Sequence, residues 1–453
     1  MNKNYKSNKS LHAIFLVLGL FLVIVIENSS QMGGEMAPVA NTSQPPILEV
    51  ETEVEPEVET IVALDKEDVL TDPKDLIGED FTVPAGLENR VGFWFDIYSK
   101  YDSTNKVIHH MDYPWIHYEV FNIADILARP ARFPWINPEK ADKETLIRLN
   151  VVRAELRALA KKLKKKTLPE LSDREKIWIT QLQSLPGSIA QNVRKAAERV
   201  RVQTGQKDFF SKGLSIANRY LPHMEKIFQD HGLPKEIARL PLVESSFNKM
   251  ATSKVGAAGL WQFMDGTGKK FLVINSFIDE RRSPLKSTEA AAELLKENYL
   301  IMSKSWPLAI TAYNHGPGGL KKAMKKLKTK DIVKIINYYQ SRQFSFASEN
   351  FYSEFLAALY VETYSNDLWT KIERQATIEF EPYKLTRRIK PSKIFKMGDI
   401  SKEELMDLNP DIKKSIQNDA LLPKGFILFI HPEKVALMDK IRGNNIVQNQ
   451  PAN

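Results

Sequence analysis

Cysteine is absent from the 453-residue sequence. Its absence excludes a disulfide framework, a thiolate metal site, a cysteine nucleophile and a lipid-modified N-terminal cysteine. Hydrophobic residues make up 43% of the chain, and 22 Phe, 14 Tyr and 7 Trp supply ample material for a core. The length allows two or three domains of ~150 residues each.

Histidine is scarce, with 8 residues, and His109, His110 and His117 lie near Asp112. Their spacing matches no standard zinc signature, and no second ligand cluster appears. The pattern therefore favours packing and hydrogen bonding. The run at residues 266–270 lacks the first glycine and the hydroxyl residue of a phosphate-binding loop. The sequence predicts no metal site and no cofactor.

The first 27 residues combine a basic start with an apolar run. Lys3, Lys6 and Lys9 precede a nearly continuous apolar stretch at residues 11–26. This arrangement is typical of an export signal. Because residues 27–31 make a poor cleavage site, we favour a retained inner-membrane anchor over a cleaved signal peptide. The rest of the chain is then expected in the periplasm or cell envelope.

Residues 28–86 are predicted to form a disordered acidic linker. Six glutamates alternate with Val, Thr and Pro between positions 49 and 59. Like charges on one face of a strand repel each other, and Pro56 interrupts pairing. The net charge of the whole chain is nevertheless +8, so the remainder is more basic still. Export makes an anionic cell-wall polymer a better partner for this charge than nucleic acid, which we do not predict as a partner.

Residues 87–205 are predicted to form a helical N-terminal domain. Apolar residues at helical spacing form one stripe of an amphipathic helix. They are Leu146, Leu149, Val152, Leu156, Leu159 and Leu163. Such a stripe indicates a hairpin or bundle that packs against the domain that follows.

Residues 206–370 are predicted to form a domain organised around one carboxylate, Glu244. Apolar residues at spacings of three and four predict a helix that begins at Pro234 and is kinked at Pro241. They are Ile237, Leu240, Val243 and Phe247. Burial would raise the pKa of Glu244 and keep it protonated, as a general acid must be. A solvated helix end is the alternative.

Four short motifs occur in a fixed order. They are Glu244-Ser245, residues 259–262, residues 312–314 and residues 350–352. Together they supply one acid, several hydrogen-bonding groups and flat apolar surfaces, which suits a sugar chain. They resemble the motifs of the soluble lytic transglycosylase family of goose-lysozyme-like enzymes, and its membrane-bound D branch in particular. The similarity extends over roughly residues 87–370.

The resemblance implies a mainly α, lysozyme-like fold and non-hydrolytic cleavage of peptidoglycan glycan strands. Glu244 would protonate the oxygen between N-acetylmuramic acid and N-acetylglucosamine and then accept the proton of the muramic C6 hydroxyl, giving a 1,6-anhydro ring. No water, metal or cofactor would enter. The other residues that the resemblance assigns would position Glu244 or contact the substrate. They are Ser245, Gln262, Trp261, Tyr313, Asn314 and Tyr352. Trp261 stands where many relatives have methionine and would fill the same subsite wall.

Two alternatives remain open at this point. A lysozyme-type hydrolase would need a second carboxylate, for which Asp279 is the best of two poor candidates beside Glu280. We interpret both as structural partners of Arg281 and Arg282. A wall-binding protein that holds glycan without cutting it is the other alternative, and an intact Glu244 argues against it.

Residues 380–434 are predicted to form a small α+β module with a βααβ order. The pattern places strands at residues 385–389 and before Pro432, with a helix capped by Ser401 between them. It resembles a divergent LysM peptidoglycan-binding module. An appendage that only packs against its neighbour is the alternative. Residues 435–453 are predicted to be a frayed tail.

Overall fold

The computed structural model describes residues 64–165, 170–369 and 372–443. The predicted signal or anchor at residues 1–27, most of the predicted linker and the last ten residues lie outside the described residues. Within the described residues, buried apolar side chains form three clusters, one for each region described below. The predicted mainly α fold is confirmed. No helix of these three ranges is both long and apolar enough to cross a bilayer.

Residues 64–86 are packed against the core, so the predicted linker boundary at residue 86 is wrong for this part. Helix α1 (Lys66–Val69) is capped by the Asp65 side chain, and a 3-10 helix follows at Glu79–Phe81. Val69 and Phe81 are fully buried. The ring of Phe81 packs between distant aromatic rings of the core. Apolar side chains thus order a segment whose overall composition is that of a linker.

Helix α2 (Glu88–Ser99) leads into an N-terminal layer, residues 105–204, that is α+β rather than helical. Its strands are β1 (Asn105–His110), β2 (His117–Asn122) and β3 (Val200–Thr204). They form an antiparallel sheet in the order β2-β1-β3. Strand β3 pairs with β1 from about ninety positions further along the chain, and local periodicity carries no signal for such a pairing.

Four helices lie between β2 and β3. They are α3 (Ala124–Leu127), α4 (Ile136–Lys162), α5 (Asp173–Gln183) and α6 (Ile189–Glu198). The predicted stripe of α4 is confirmed at Val152, Leu156 and Leu159, which are fully buried. It does not extend to Leu146, which is exposed. Helices α4, α5 and α6 pack together and close the second core.

The central region, residues 207–368, consists of helices joined by loops that contain only isolated β-bridges. Its helices are α7 (Lys207–Asp230), α8 (Leu240–Ser245), α9 (Asp265–Gly268), α10 (Pro284–Ile301), α11 (Trp306–His315), α12 (Pro317–Leu327), α13 (Ile332–Tyr338), α14 (Phe346–Thr363) and α15 (Ser365–Leu368). Two further 3-10 turns lie at Lys235–Arg239 and Glu280–Arg282.

Helix α14 is the centre of the largest core. Most of its residues are buried on every side, as expected for a helix surrounded by protein. It packs against α2, α8 and α11. The contact with α2 is polar as well as apolar, because Asn350 accepts hydrogen bonds from Arg90 at 2.9 Å and Trp94 at 3.0 Å. Helix α14 therefore joins the start of the chain to the helix that carries Glu244.

The C-terminal module, residues 381–443, has three α-helices between its two strands, where the sequence predicted two. Strand β4 (Glu381–Lys384) pairs antiparallel with β5 (Ile427–Ile430). Between them lie α16 (Pro391–Gly398), α17 (Lys402–Leu408), a 3-10 turn at Pro410–Ile412 and α18 (Lys413–Asn418). The first strand lies slightly before its predicted position, and Ser401 caps α17 as expected.

Residues 435–443 of the predicted frayed tail form a helix instead. A 3-10 turn at Pro432–Lys434 leads into α19 (Val435–Gly443), which packs against α16. Met438 of α19 is buried in the core of the module. An apolar contact thus extends the packed module past its predicted end at residue 434.

The module is joined to the central region by buried and half-buried ion pairs. Lys286 of α10 contacts Asp411 at 2.7 Å and Glu280 at 3.1 Å. Lys249, just beyond α8, contacts Asp407 at 2.9 Å. These contacts fix the module beside the segment that carries Glu244.

Candidate active site

Glu244 lies at the end of a short, abruptly terminated helix. The predicted single helix is divided into the 3-10 turn at Lys235–Arg239 and α8, with Pro241 in the first turn of α8 instead of at a kink. Ser246 and Phe247 then adopt positive φ angles of 48° and 56°. Such angles are costly for residues with side chains and persist only where surrounding contacts enforce them. The backbone therefore ends the helix sharply after Glu244.

A hydrogen bond ties this helix end to the second motif. Ser245 is fully buried, and its Oγ donates to the carbonyl oxygen of Leu260 at 2.9 Å. Gln262 also has a positive φ, and its Nε2 donates to the carbonyl of Gly259 at 2.8 Å. Both side chains stabilise the loop beside Glu244, so their proposed roles are positional.

Gly259 is required by a close backbone approach. Its φ is +80°, and a Cβ atom there would lie 1.7 Å from the carbonyl oxygen of Arg281. Gly256 has a similar φ but open space around it. Arg281 also donates to the carbonyl of Gly256 at 3.0 Å and that of Phe263 at 3.2 Å. The glycine of the second motif thus allows one loop to pack directly on another.

The third motif lies at the end of α11. Tyr313 is half-buried and donates through its hydroxyl to the carbonyl of Trp261 at 2.7 Å. Burial, with the nearby Glu244 carboxyl as a second cause, raises the pKa of Tyr313 well above its usual range. Asn314 accepts a hydrogen bond from Ser348 of α14 at 3.0 Å. The structure therefore brings Tyr313 close to Glu244 and connects Asn314 to α14.

Glu244 is a partly exposed carboxyl in apolar surroundings. Burial, and to a lesser degree the charge of Glu354, raises its pKa from 4.5 to about 8. No described residue makes a hydrogen bond or an ion pair with its side chain. At neutral pH the group therefore carries a proton that it can donate. The predicted acid has the expected electrostatic environment.

Glu354 is a second carboxyl that the sequence did not single out. It lies on α14, and burial raises its pKa to about 8 despite the opposing charge of Arg201. The pattern at residues 350–352 directed attention to the tyrosine, although Glu354 is only two positions further along. A sequence signal was available, because Glu354 immediately precedes the apolar run of residues 355–361.

The burial of Trp261 and Tyr352 does not agree with their predicted contacts to the substrate. Trp261 has no exposed surface, and its indole nitrogen donates to Thr288 at 2.9 Å inside the core. Tyr352 is 1% exposed, and its hydroxyl is buried without a partner among the described residues. Neither side chain can contact a substrate in this arrangement. The residue of this part of α14 that affects Glu244 is Glu354, whose charge raises the pKa of Glu244.

The other predicted carboxylates are structural. Asp279 forms ion pairs with Arg281 at 2.8 Å and Arg282 at 3.7 Å, as expected. Glu280 pairs with Lys286 instead of with an arginine. Asp279 is therefore occupied by two cations and is poorly suited to activate water.

The histidines of the N-terminal layer lie in the sheet and the turn beside it. His109 is buried, and its Nδ1 contacts the carbonyl oxygen of His110 at 2.9 Å. His110 Nδ1 accepts from the backbone N–H of Asp112 at 3.1 Å, while the Asp112 carboxylate pairs with Arg199. Desolvation lowers the pKa of both histidines. Over the described ranges, no group of three His, Asp or Glu side chains is arranged to hold a metal ion.

Comparison with known proteins locates these features within a recognised domain. Residues 219–336 match the Transglycosylase SLT domain family. The matched stretch contains Glu244, Gln262 and Tyr313, whereas Tyr352 and Glu354 lie beyond it. The resemblance that the motifs predicted is confirmed for this stretch.

Individual relatives are similar over the same part of the chain. The membrane-bound lytic murein transglycosylase D of Escherichia coli (strain K12) is 37% identical over 99 residues, which is 22% of this chain and 22% of that protein. A protein of Alteromonas sp. (strain M-1) named for tributyltin chloride resistance is 35% identical over 115 residues, 25% of this chain and 56% of that protein. The chain thus spans about a fifth of the length of the first relative and just over half of the second.

Among solved structures, the 70 kDa soluble lytic transglycosylase of Escherichia coli is similar at 16% sequence identity. The alignment covers 55% of this chain and 38% of that chain, with a TM-score of 0.26.

Proposed function

We propose that this chain is a lytic transglycosylase of peptidoglycan. It would cleave the β-1,4 bond between N-acetylmuramic acid and N-acetylglucosamine and form a 1,6-anhydro ring on the muramic residue. The observation that carries the proposal is Glu244, an unpaired carboxyl with a pKa raised to about 8 inside a Transglycosylase SLT domain match. One of the matched relatives, the membrane-bound lytic murein transglycosylase D of Escherichia coli, is named for this activity.

Glu244 would perform both proton transfers of the reaction. Its hydroxyl donates a proton to the glycosidic oxygen while the bond from that oxygen to C1 breaks, leaving an oxocarbenium-like centre. The Glu244 carboxylate then accepts the proton of the C6 hydroxyl as that oxygen bonds to C1. One proton leaves Glu244 and one returns, so no water is consumed. A pKa near 8 suits both steps, since the group is a proton donor at neutral pH and, once ionised, a strong base.

The charge states of the other carboxylates argue against a lysozyme-type hydrolase. Such an enzyme requires a second carboxylate that is ionised and free to activate water or to attack C1. Asp279 is held by two arginines, and burial keeps Glu354 protonated at neutral pH. Neither group offers the free negative charge that hydrolysis needs. A binding protein without activity would have no use for the raised pKa of Glu244.

We further propose that residues 1–27 export the chain and hold it at the inner membrane, so that it acts in the periplasm. The C-terminal module would bind glycan strands beside the cleft as a LysM-like module. Its two paired strands with helices between them, and its fixed position next to α8, support this role. Binding of purified peptidoglycan to the full-length chain with Glu244→Gln would test the module without interference from cleavage.

Mass spectrometry of the products tests the proposed reaction. Purified peptidoglycan is incubated with the full-length chain, and the released muropeptides are weighed. Products one water lighter than their hydrolysed counterparts are expected. Glu244→Gln should lower the rate by about 10²- to 10⁴-fold because the proton donor is lost, while binding to the polymer persists. Glu349→Gln, on α14 but away from Glu244, is the matched control.

Two results would contradict the proposal. Products with a reducing end and full mass would identify a hydrolase. Polymer that is bound by the wild type but never cut would identify a binding protein.

A further inference from the structure

Two side-chain hydrogen bonds tie the first and third motifs of the site to the second. Ser245 donates to the carbonyl oxygen of Leu260 at 2.9 Å. Tyr313, at the end of α11, donates to the carbonyl oxygen of the next residue, Trp261, at 2.7 Å. Because Ser245 directly follows Glu244, these two bonds fix the end of α11 beside the segment that carries the proposed acid.

Asn314, the residue after Tyr313, is held from α14 by a chain of two hydrogen bonds. Oγ of Ser348 donates to Oδ1 of Asn314 at 3.0 Å, and Nδ1 of His315 lies 3.2 Å from the same Oγ. Ser348 is 6% exposed, whereas the side chains at both ends of the chain are partly exposed. A serine hydroxyl has a single hydrogen. Ser348 can therefore donate to Asn314 only if it accepts a hydrogen bond from His315.

The surroundings of His315 decide which of its ring nitrogens carries the hydrogen. Burial lowers the pKa of His315, so the ring is neutral and has one N–H group. Nε2 faces the first turn of α12, where a Cβ atom on Gly319 would lie 2.5 Å from it. Helix α12 has no side-chain cap, and the free backbone groups at the start of a helix are N–H donors. A nitrogen with a lone pair suits that position, so the hydrogen is on Nδ1, which donates to Ser348.

The hydrogen-bond chain fixes the direction of the Asn314 side chain. An amide has an acceptor oxygen at one end and a donor NH₂ group at the other, and the two ends are alike in shape. With Oδ1 held by Ser348, Nδ2 is the end left for a ligand, and none of the described residues accepts a hydrogen bond from it. An NH₂ group binds oxygen acceptors, which a sugar chain supplies as hydroxyl and acetamido carbonyl oxygens.

We propose that Ser348 and His315 are positioning residues that hold the Asn314 amide with its NH₂ group toward the glycan strand, where it binds a sugar oxygen. The inference rests on the proposed transglycosylase function. Neither residue belongs to the four motifs, and Ser348 lies outside the matched domain, which ends at residue 336. Helix α14 thus acts on the substrate through Asn314 and not through the buried Tyr352.

A double-mutant cycle tests whether Ser348 acts through Asn314. The initial rate of release of anhydro-muropeptides from purified peptidoglycan is measured with the full-length chain at several substrate concentrations. Ser348→Ala removes the donor to Oδ1 and lets the amide turn, so the apparent kcat/KM should fall about 2- to 10-fold. In an Asn314→Ala background the same change should have no further effect, because the amide is already absent. An undiminished loss in that background would overturn the inference, since Ser348 would then act through the fold.

Asn314→Asp tests which end of the amide meets the substrate. Aspartate keeps an oxygen that accepts from Ser348 but has no N–H to donate. The variant should therefore be at least as slow as Asn314→Ala in the same assay. An Asn314→Asp chain with wild-type kcat/KM would overturn the direction assigned to the amide.

Two neighbouring glycines of α12 test His315 without altering its ring. Gly319→Ala places a methyl group against Nε2 and moves the ring away from Ser348. Gly318→Ala is the matched control, because a Cβ atom there meets nothing within 4 Å. Gly319→Ala should lower kcat/KM about 2- to 10-fold, and Gly318→Ala should keep the wild-type value. Equal values for the two variants would overturn the role of His315, and this pair decides the matter if Asn314→Ala is too slow for the cycle.

Conservative replacement of His315 separates its hydrogen bond from its packing. His315→Asn keeps an N–H group near the position of Nδ1, whereas His315→Phe keeps a ring without a donor. The asparagine variant should be the more active of the two. Higher activity of the phenylalanine variant would show that the ring serves only to pack.

The products distinguish failure of the inference from failure of the proposed function. Wild-type kcat/KM for Ser348→Ala, with anhydro products from both chains, would overturn the inference alone. Absence of anhydro products from the wild type would overturn both.

Discussion

Two groups of enclosed carboxylates in this molecule differ in whether they are paired with a cation. At the junction with the C-terminal module, Asp411 is fully buried and contacts Lys286, which also contacts Glu280 and lies over the ring of Phe426 at 3.7 Å. At the candidate site, Glu244 has no such partner. An unpaired enclosed carboxyl costs stability unless it holds its proton. The junction therefore uses its charges for packing, and the site keeps its proton available for transfer.

The two regions also differ in what fixes their geometry. Ion pairs between long side chains hold the junction. The site is held by the backbone, through the positive φ angles of Ser246 and Phe247 and the hydrogen bond from Ser245 to Leu260. Short contacts of this kind position a group without placing a charge next to it. A carboxyl can then be held in place and still keep a raised pKa.

The largest expected effect is on the junction. Lys286→Met leaves Asp411 buried without its cation, and breaking a buried pair in this way costs about 3–5 kcal/mol. Unfolding by denaturant measures the loss. Combining Lys286→Met with Asp411→Leu should recover much of it, because an apolar pair of similar volume is tolerated where an unpaired charge is not. A loss below ~1 kcal/mol in the single variant would show that the junction charges are not essential to packing.

The next effect concerns the backbone that holds the site. Gly259→Ala places a methyl group against the carbonyl of Arg281 and forces the loops apart, at an expected cost of about 2 kcal/mol or more. Gly256→Ala is the matched control, since it has a similar positive φ with open space, and should cost about 1 kcal/mol. Thermal or denaturant unfolding compares the two. Equal losses would mean that the close approach at Gly259 is relieved without cost.

The third prediction concerns how the unpaired Glu244 carboxyl makes the stability of the protein depend on pH. The pKa of Glu244 is raised from 4.5 to about 8 on folding, so its contribution to stability is full below pH ~4.5 and is lost as pH rises toward 8. Glu244→Gln removes this titration. Its stability should therefore rise relative to the wild type between pH 5 and pH 8, as measured by denaturant midpoints. Glu293→Gln, at an exposed position of α10, should follow the wild type; parallel curves for all three chains would contradict the prediction.

The smallest expected effect is on a partly exposed ion pair of the same junction. Asp407 also pairs with a lysine, Lys249, but its side chain is 42% exposed and has a second partner in Arg219. Solvent screens such a pair, so Lys249→Met should cost no more than about 1 kcal/mol. The same denaturant measurement applies. A cost equal to that of Lys286→Met would mean that exposure does not decide the strength of these pairs.

The sequence predicted the parts of the site that depend on local pattern. Apolar spacing around Glu244 indicated a helix and an enclosed acid, and the glycines of the second motif indicated a close approach, although the approaching group is the backbone at Arg281. The helices of the C-terminal module followed from the cap at Ser401. In each case the signal lies within a few residues of the feature.

What the sequence missed depends on contacts between distant segments. The burial of Tyr352 and Trp261 could not be read from their motifs, because it is decided by how α14 and the loop between α8 and α9 pack on the core. The raised pKa of Glu354 likewise depends on the burial of α14 within the core, which no local pattern shows. The strands of the N-terminal layer were missed for the same reason, since β3 joins β1 from far along the chain.

The contact between α2 and α14 can form only after both of these distant segments of the chain have been synthesised. Trp94 and Asn350 are 256 positions apart, so the chain must close a very long loop before this contact stabilises anything. A chain that stops before residue 346 contains Glu244 but lacks the helix that packs against α8, and Arg90 loses one of its two hydrogen-bond partners. We therefore expect a chain truncated before α14 to lack the enclosed surroundings of Glu244 on which the proposed proton transfer depends.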